Sequence, residues 1–464
     1  MMKRILFLIL PLFAALSGAG AAREWTTLCP AVEREISVPA FPDRTFSIVD
    51  YGAVPDDPKA LNHGAIGRAI EACHEAGGGR VLIPAGVWHT GPLTLRSGVD
   101  LHLEAGATLL FATDPALYPP VLTRWEGIDC YNLHPLIYAY GERNIAVTGK
   151  GEIDGGAGPD NWWPMKGQAR YGWREGMVSQ RTGRPKLLEW SERNVPVEER
   201  VLTPEDGLRP QLINFYRCEN VLIEDVTLTR SPFWVIHPLM CTGLTVRGVQ
   251  IHTFGGPNCD GCDPESCRNV LIENCFFDTG DDCIAIKSGR NADGRRAGLP
   301  SENIIVRDCR MKNGHGGVVI GSEISGGFRN LFVERCTMDS PELERVIRIK
   351  TNDCRGGVIE NIFVRDVEVG RCKEAVLKVN LNYEPEERCS RGYFPVVCNI
   401  RMERVHCGES RYGVLIDAYA DRLNVSDIRI EECRWDRVPE GNRVIGQTRN
   451  IEYRNLRIDG KTVE

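Results

Sequence analysis

A short pattern recurs along most of the chain: a polar turn residue, an apolar β-branched run, then a polar bend. The clearest copies occupy residues 219–226, 243–249, 268–275, 302–309, 329–336 and 360–367. Weaker copies begin near Arg143, Asn399, Asn424 and Asn450, and successive copies are mostly 24 to 38 residues apart. One copy cannot bury its own apolar side, whereas stacked copies can. The pattern therefore predicts an all-β fold, a single right-handed parallel β-helix.

An asparagine opens many of these copies. It stands at positions 220, 269, 303, 330, 361, 399 and 450. Asparagine tolerates the left-handed backbone conformation, and its amide can bond to the equivalent turn of the next coil. We therefore interpret the recurrent asparagine as structural and not as part of a functional site.

The ends of the repeat and one interruption define the predicted organisation. The β-helix domain is predicted over residues 46–464, with a capping helix at 62–76 that has Asn62 as N-cap and one apolar face: Ala65, Ile66, Ala69, Ile70 and Cys73. The pattern breaks over residues 155–208, which are rich in Trp and Arg. This stretch is predicted to be a long insertion loop beside a cleft, whose tryptophans either pack within the loop or stack on a bound ligand.

The first residues have the features of a secretory signal peptide. Lys3 and Arg4 precede an apolar run over residues 5–16, and Ala19-Gly20-Ala21 suits a cleavage site. We predict a signal peptide over 1–21, an N-terminal extension over 22–45 and a periplasmic or extracellular protein. A retained N-terminal anchor is the alternative. No later segment is apolar for about 18 residues, so no membrane span is expected in the mature chain.

Charge and cysteine content argue against a nucleic-acid-binding protein, a small disulfide scaffold and a zinc protein. The formal net charge is −7 and there is no basic tract, which argues against a nucleic-acid partner, although a locally basic cleft could still bind a polyanion. The 18 cysteines do not resemble a small disulfide scaffold, and several lie in or beside repeat strands, as expected of small buried side chains. Cys259 and Cys262 form an isolated pair without a second pair or histidines at zinc spacing, so no metal or cofactor is predicted.

Four short motifs rich in glycine and charged residues do not follow the repeat. They are 258–260 (Asn-Cys-Asp), 280–282 (Gly-Asp-Asp), 314–316 (Gly-His-Gly) and 348–350 (Arg-Ile-Lys). The distances are 21 residues from Asp260 to Asp281, 33 from Asp282 to His315 and 33 from His315 to Arg348. If each spacing is one coil, the motifs form one line of side chains across neighbouring strands. Such residues are also common in turns, but four motifs at coil spacing favour a site.

Acid–base chemistry is the natural use of three neighbouring carboxylates. Mutual repulsion keeps one protonated and another ionised, as hydrolysis of a glycosidic bond requires. His315 could tune the proton of the acid. Arg348 and Lys350 alternate with Ile349, so both should face outward and could hold an anionic sugar.

At these residues the sequence resembles the polygalacturonase family, family 28 of the glycoside hydrolases, from about Phe46 to Tyr383. The only departure from its four motifs is Cys259 in place of threonine. The resemblance implies an inverting, metal-free hydrolase of pectic polysaccharide, with Asp281 as general acid. Asp260 and Asp282 would activate water, His315 would support the acid, and Arg348 and Lys350 would bind the uronate carboxylate.

Segments 287–296, 316–327 and 381–383 are similar to the bacterial exo-acting branch of that family. They add Lys287, Arg290 and Tyr383 to the expected substrate contacts, with Asn258 from the first motif. Endo action remains an alternative, as do rhamnogalacturonan or xylogalacturonan as substrate. A calcium-dependent pectate lyase and a non-catalytic adhesin of the same fold fit the motifs less well.

Overall fold

The computed structural model describes residues 23–463. The predicted signal peptide lies outside the described residues. Each coil of the chain contributes strands to parallel ladders that run the length of the molecule. Within the described chain, the largest sheet has 24 strands and bends between a first and a second ladder, which merge in two long strands. Its strands are Thr45–Ser47, Gly79–Ile83, Gly86–Thr90, Val99–Leu103, Ala107–Phe111, Arg143–Gly149, Glu152–Asp154, Glu219–Glu224, Thr227–Thr229, Thr242–Arg247, Gln250–His252, Arg268–Glu273, Phe276–Asp278, Ser301–Arg307, Arg310–Met311, Phe328–Glu334, Thr337–Met338, Val358–Arg371, Val396–Glu409, Val425–Glu431, Arg434–Trp435, Thr448–Arg454, Leu456–Ile458 and Lys461–Val463.

The opposite wall, which we call sheet B, runs in two parts. The first part contains Leu93–Thr94, Ile137–Tyr140, Ile213–Tyr216 and Ile236–Leu239, and the second contains Ile284–Ile286, Val318–Gly321, Arg345–Lys350, Ala375–Asn380, Tyr412–Asp417 and Arg443–Ile445. Single bridges at Cys262 and Glu265 connect the two parts. Outside these walls, Pro120–Trp125 and Ile128–Leu133 form an antiparallel hairpin.

The core lies between these walls. Apolar side chains at one position of successive strands stack in register and are fully buried, as in the series Ile223, Val246, Ile272, Val306, Val333 and Val364. Each coil thus buries the apolar side of its neighbour, as the repeat requires. The predicted right-handed parallel β-helix is confirmed.

The recurrent asparagines form a ladder at one turn. Asn269, Asn303, Asn330, Asn361 and Asn399 all have left-handed backbone, with φ between 54° and 66°. Each amide donates to the side-chain oxygen of the preceding one, at 2.7 to 2.9 Å along this series. Their structural interpretation is confirmed.

Four α-helices lie in the described chain: Cys29–Arg34, His63–Glu75, Gln180–Glu192 and Asn291–Ala297. A π-helical turn spans Glu24–Leu28, and 3-10 turns span Ile48–Tyr51, Pro115–Leu117, Trp163–Lys166, Ala169–Tyr171, Val197–Glu199 and Pro204–Asp206. None of the helices in this part of the chain has the length and apolarity needed to cross a bilayer.

The helix His63–Glu75 caps the first coil as predicted. Its five predicted apolar residues are all buried, and glycines with positive φ follow at Gly77 and Gly78. Asn62 occupies the N-cap position, but its side chain makes no capping bond. Its amide bonds instead to the backbone of Val54 and His89, because the loop packed over the helix start offers buried partners.

The cysteines are mostly buried and reduced. Cys275, Cys309 and Cys336 are examples of the predicted small buried side chains at strand ends. Among residues 23–463 the single disulfide joins Cys354 to Cys389, a pairing that the sequence did not reveal. It ties the loop after strand Ala375–Asn380 to the loop after strand Arg345–Lys350.

Two segments outside the repeat pack against it. Residues 24–34 cover an apolar stripe on the outer face of the large sheet, formed by Leu271, Ile305, Phe332 and Phe363. The stretch 155–208, expected as a loop, contains the helix Gln180–Glu192. Its Trp162 is fully buried and none of its tryptophans lines the pocket described below, so they serve packing.

Candidate active site

A cavity of about 710 Å³ opens over the outer face of sheet B and collects most of the predicted site. The strands Ile284–Ile286, Val318–Gly321 and Arg345–Lys350 form its floor. The helix Gln180–Glu192, the hairpin turn at Glu126 and the loop at Tyr383 and Glu384 form walls. All the predicted site residues except Asp282 line this cavity, and Asp282 is fully buried beneath it.

The turn that precedes sheet B aligns the acidic residues. The N–H of Gly261 donates to the carbonyl of Asp282, and the N–H of Cys283 donates to that of Gly316. Asp260, Asp282 and Gly316 therefore occupy one turn position on three successive coils. Asp281 and His315 are aligned in the same way, since the His315 N–H donates to the Asp281 carbonyl at 3.1 Å.

The prediction that all four motifs form one line is wrong for the fourth. Gly316 is aligned with Arg345, because the next residue, Gly317, donates to the carbonyl of Arg345. Arg348 pairs with Val319 instead, further along the strand. Equal spacing misleads here because the loops of successive coils differ in length. The predicted alternation is confirmed: Ile349 is buried in the core, while Arg348 and Lys350 reach the pocket.

The carboxylates of the three aspartates lie close together, and cationic side chains contact them. One carboxylate oxygen from each of Asp260, Asp281 and Asp282 lies within 4.8 Å of the other two. Lys350 Nζ donates to Asp282 Oδ2 at 2.6 Å, and Arg348 Nη1 lies 3.8 Å from the other oxygen. His315 Nδ1 lies 2.9 Å from Asp281 Oδ1.

Burial and these partners separate the pKa values of the carboxyl groups. Burial, together with the charges of Asp263 and Asp281, raises the pKa of Asp260 well above its ordinary value. Burial acts in the same direction on Asp281, but His315 outweighs it and leaves the Asp281 pKa below its ordinary value. The Asp281 charge in turn raises the pKa of His315 to about 9. The proximity of His315 thus favours the charged form of Asp281, whereas burial favours the neutral form of Asp260.

The other predicted substrate contacts differ in how far their side chains already interact with other protein groups. Asn258 Oδ1 accepts from Lys166 Nζ at 2.7 Å and from Arg209 Nη2 at 2.9 Å. The Tyr383 ring lies 5.5 Å from both Arg348 Cζ and Lys350 Nζ. It therefore covers the two cations that are expected to hold a uronate.

Lys287 and Arg290 are buried in the pocket wall. Lys287 Nζ lies 3.2 Å from Glu323 and 3.8 Å from Asp260, over the Trp234 ring. The Arg290 guanidinium is engaged by four carboxylates, at 2.7 to 3.4 Å: Glu126, Glu323, Glu384 and Glu387. Arg290 thus crosslinks the wall. Direct contact of either residue with substrate stays a prediction.

Several pocket residues were not predicted from the sequence. Eight Lys and Arg side chains line the cavity against six Asp and Glu, counted over the described chain, so the wall is locally basic although the protein is acidic. Lys166, Arg181 and Arg184 come from the Arg-rich stretch 155–208, whose composition was a signal, and Arg345 begins the strand that carries Arg348. Glu323 gave no signal, because its role depends on partners from distant coils.

One side of the pocket is walled by contacts between these segments. Arg184 Nε donates to Glu126 Oε2 at 2.7 Å, and Ser390 donates to Glu192 through its backbone N–H at 3.0 Å. The helix Gln180–Glu192 is thereby joined to the hairpin and to the disulfide-bonded loop 381–395.

The family model "Glycosyl hydrolases family 28" matches residues 204–434. A hyperthermoactive exopolygalacturonase from Thermotoga maritima is 40% identical, with a TM-score of 0.90 over 94% of this chain and 97% of that one. The chain belongs to glycoside hydrolase family 28.

Curated relatives agree with this assignment. A probable polygalacturonase of Vitis vinifera is 30% identical over 76% of this chain and 67% of the relative. An exo-poly-alpha-D-galacturonosidase of Dickeya chrysanthemi is 27% identical over 73% of this chain, which spans 57% of that relative's length. This family 28 protein is therefore a glycoside hydrolase, as the motifs predicted.

Proposed function

We propose that this family 28 enzyme hydrolyses α-1,4-galacturonosidic bonds of polygalacturonate and removes sugars from a chain end. The observation that carries the proposal is the cluster of Asp260, Asp281 and Asp282 beside Arg348 and Lys350, in a basic pocket. The cluster suits acid–base cleavage of a glycosidic bond, and the two cations suit an acidic sugar. The relatives named polygalacturonase support the same substrate.

The Asp281–His315 pair is the proton donor in this mechanism. As the bond from the anomeric carbon to the leaving oxygen breaks, His315 passes its proton to Asp281, 2.9 Å away, and Asp281 delivers this proton to the leaving oxygen. Asp282, paired with Lys350, accepts a proton from water, whose oxygen forms the new bond to the anomeric carbon. Asp260 lies next to Asp282 on the preceding coil and shares in orienting this water.

The carboxylate of the reacting sugar is held by Arg348 and Lys350. Both side chains are only 8% exposed, and a partly dehydrated cation attracts a uronate more strongly than a solvated one. Tyr383 covers both, and Asn258 offers an amide at the edge of the cluster. Lys287 and Arg290 offset the carboxylates of the wall and so limit their repulsion of the uronate.

Exo action is supported by the wall that joins Arg184, Glu126 and Glu384. These side chains bound one side of the pocket, and a site that is bounded on one side suits the end of a chain better than the middle of a polymer. The exopolygalacturonase that is 40% identical over nearly the whole chain favours the same mode.

An inverting outcome without a metal is part of the proposal. The closest carboxylate oxygens lie within 4.8 Å, shorter than the separation usual between the acid and base of inverting enzymes, so inversion rests on the family and not on this distance. Lysine, arginine and histidine already stand at the positions where the carboxylates need positive charge. Export to the periplasm or medium is proposed from the pattern of residues 1–21, and suits a polymeric substrate.

Digestion of polygalacturonate with and without a chelator, with sizing of early products, tests the proposal. We expect mono- or disaccharide from the first time point, unchanged activity with chelator, and the β-anomer as first product by proton NMR. A ladder of oligomers would establish endo action. An unsaturated product absorbing in the ultraviolet would establish a lyase. Activity confined to rhamnogalacturonan or xylogalacturonan would assign a different family specificity.

A further inference from the structure

A second basic cavity lies on the coils that follow the active site. It has a volume of about 650 Å³ and contains none of the four motifs. Four cationic side chains line it, from three successive coils: Arg371, Lys373, Arg411 and Arg437. Its only acidic lining residues within the described chain are Glu409 and Asp459. Pro341, Val438 and Pro439 provide apolar surface between the charges.

This cavity continues the active-site turn. Gly314 bridges to Leu343, and the Lys373 N–H donates to the Leu343 carbonyl at 2.7 Å, so Lys373 lies two coils beyond the His315 motif at the equivalent turn. The turn between them serves both cavities: Glu344 and Arg345 line the active-site pocket, whereas Pro341 lines the second cavity. The two cavities are neighbours along one edge of sheet B.

Two of the four cations have no acidic partner. Arg437 lies 2.7 Å from Glu409, and Arg411 lies 3.6 Å from Glu440. Arg371 and Lys373 are exposed, and neither side chain makes an ion pair or hydrogen bond with any residue in the range 23–463. On a protein of net charge −7, two adjacent uncompensated cations mark a surface that attracts an anion.

The second cavity lies on the side of the pocket where the strands of sheet B begin. The walls at Glu323 and Glu384 follow the ends of the sheet B strands, whereas His315 and Arg345 stand where the strands begin. The His315 side chain is 46% exposed there. A polymer that leaves the pocket on this side would pass over the second cavity. From the turn at Arg345 to that at Arg437 there are three coil steps, about 14 Å at the usual strand spacing.

We propose that Arg371 and Lys373, with Arg411 and Arg437, form a distal binding surface for uronate residues of the same polymer, several sugars away from the bond that is cleaved. This inference rests on the proposed function and adds the way in which a long chain is held. The surface is too far from the three aspartates to contribute to bond cleavage. It therefore acts on long substrates and not on short ones.

Steady-state kinetics of Arg371→Gln/Lys373→Gln on polygalacturonate and on trigalacturonate test the proposal. We expect kcat/KM on the polymer to fall about three- to tenfold, since exposed charge pairs contribute up to about 1 kcal/mol each. The value on trigalacturonate should stay unchanged, and raising the salt concentration should narrow the difference on the polymer. A matched control is Arg268→Gln/Arg449→Gln, two exposed cations on the large sheet.

The outcomes separate the two proposals. If the wild type releases no galacturonate from either substrate, the proposed function is wrong. If the wild type is active and the double variant matches it on both substrates, or loses equally on both, the distal surface is wrong. A loss of similar size in the control variant would also overturn it, because the effect would then reflect net charge alone.

Discussion

Two turns of this β-helix each place side chains of one type above one another on successive coils. The two stacks differ in how their hydrogen-bonding groups find partners. At the turn of the large sheet, asparagines 269, 303, 330, 361 and 399 form four hydrogen bonds in series, so that each of the three inner residues donates one bond and accepts one. At the turn before sheet B, Asp260 and Asp282 are equally aligned but can only accept when ionised. The asparagine side chains act as hydrogen-bond partners for one another. The aspartate carboxylates cannot, and they need protons, cations and substrate as partners. The same geometry thus satisfies hydrogen bonds in one place and, in the proposed mechanism, serves catalysis in the other.

Neutralising the acidic stack should have the largest effect. We expect Asp282→Asn, and equally Asp281→Asn, to lower kcat on polygalacturonate by about three orders of magnitude or more, because each removes a proton-transfer group. Circular dichroism should show an intact fold. Asp366→Asn, which removes a surface carboxylate paired with Arg404 at 2.7 Å, is the control. Normal turnover in either pocket variant would remove the mechanism.

Removing a cation beside the stack should affect binding more than turnover. Arg348→Ala is expected to raise KM and the inhibition constant of free galacturonate by about 10- to 100-fold, since a charge-assisted bond contributes about 1.5–3 kcal/mol. Arg335→Ala, an exposed arginine paired with Asp308, should change neither constant. Unchanged affinity for galacturonate in Arg348→Ala would contradict the assigned role.

The histidine beside Asp281 should set the alkaline limit of activity. His315 has a pKa raised from 6.5 to about 9, so the ion pair with Asp281 is intact below about 6.5 and is lost as the pH rises through about 9. We expect kcat/KM to fall above that pH. In His315→Gln the alkaline limb of the pH–rate profile should move to lower pH, and activity should be about 10- to 100-fold lower.

The control for this experiment is His406→Gln. His406 is also paired with carboxylates, Glu368 and Asp436, each at 2.9 Å, but it lies outside the pocket. Its pH profile should match the wild type. An alkaline limb that stays in place in His315→Gln would show that the Asp281–His315 pair does not hold the proton.

Breaking the neutral stack should have the smallest effect on activity and a measurable one on stability. Asn330→Ala loses two ladder bonds and keeps a left-handed backbone, φ 66°, that alanine adopts at a cost of about 1–2 kcal/mol. Asn330→Gly loses only the bonds, so denaturant unfolding should place it between wild type and alanine. Both should keep full activity. Equal stability of the three proteins would show that the asparagine ladder does not stabilise the fold.

The composition of the site was predictable in part. The structure brings together the three aspartates, His315, Arg348 and Lys350, which the sequence singled out because each belongs to a short motif. Lys166, Arg184 and Glu323 were not, because they reach the pocket from a helix and from loops whose positions depend on packing. Arg290 was predicted to touch substrate, and the structure places it among four carboxylates of the wall.

The sequence by itself determined the coil and its chemistry. A repeated apolar run must stack on its neighbours to be buried, and an Asp, His or Arg keeps its acid–base character wherever it lies. Only the tertiary structure decided register, protonation and enclosure. Loops of unequal length shifted Arg348 past the line of the aspartates, the proximity of His315 lowered the Asp281 pKa, and the packing of segment 155–208 walled the pocket. These properties depend on distances between residues far apart in the chain, which folding alone establishes.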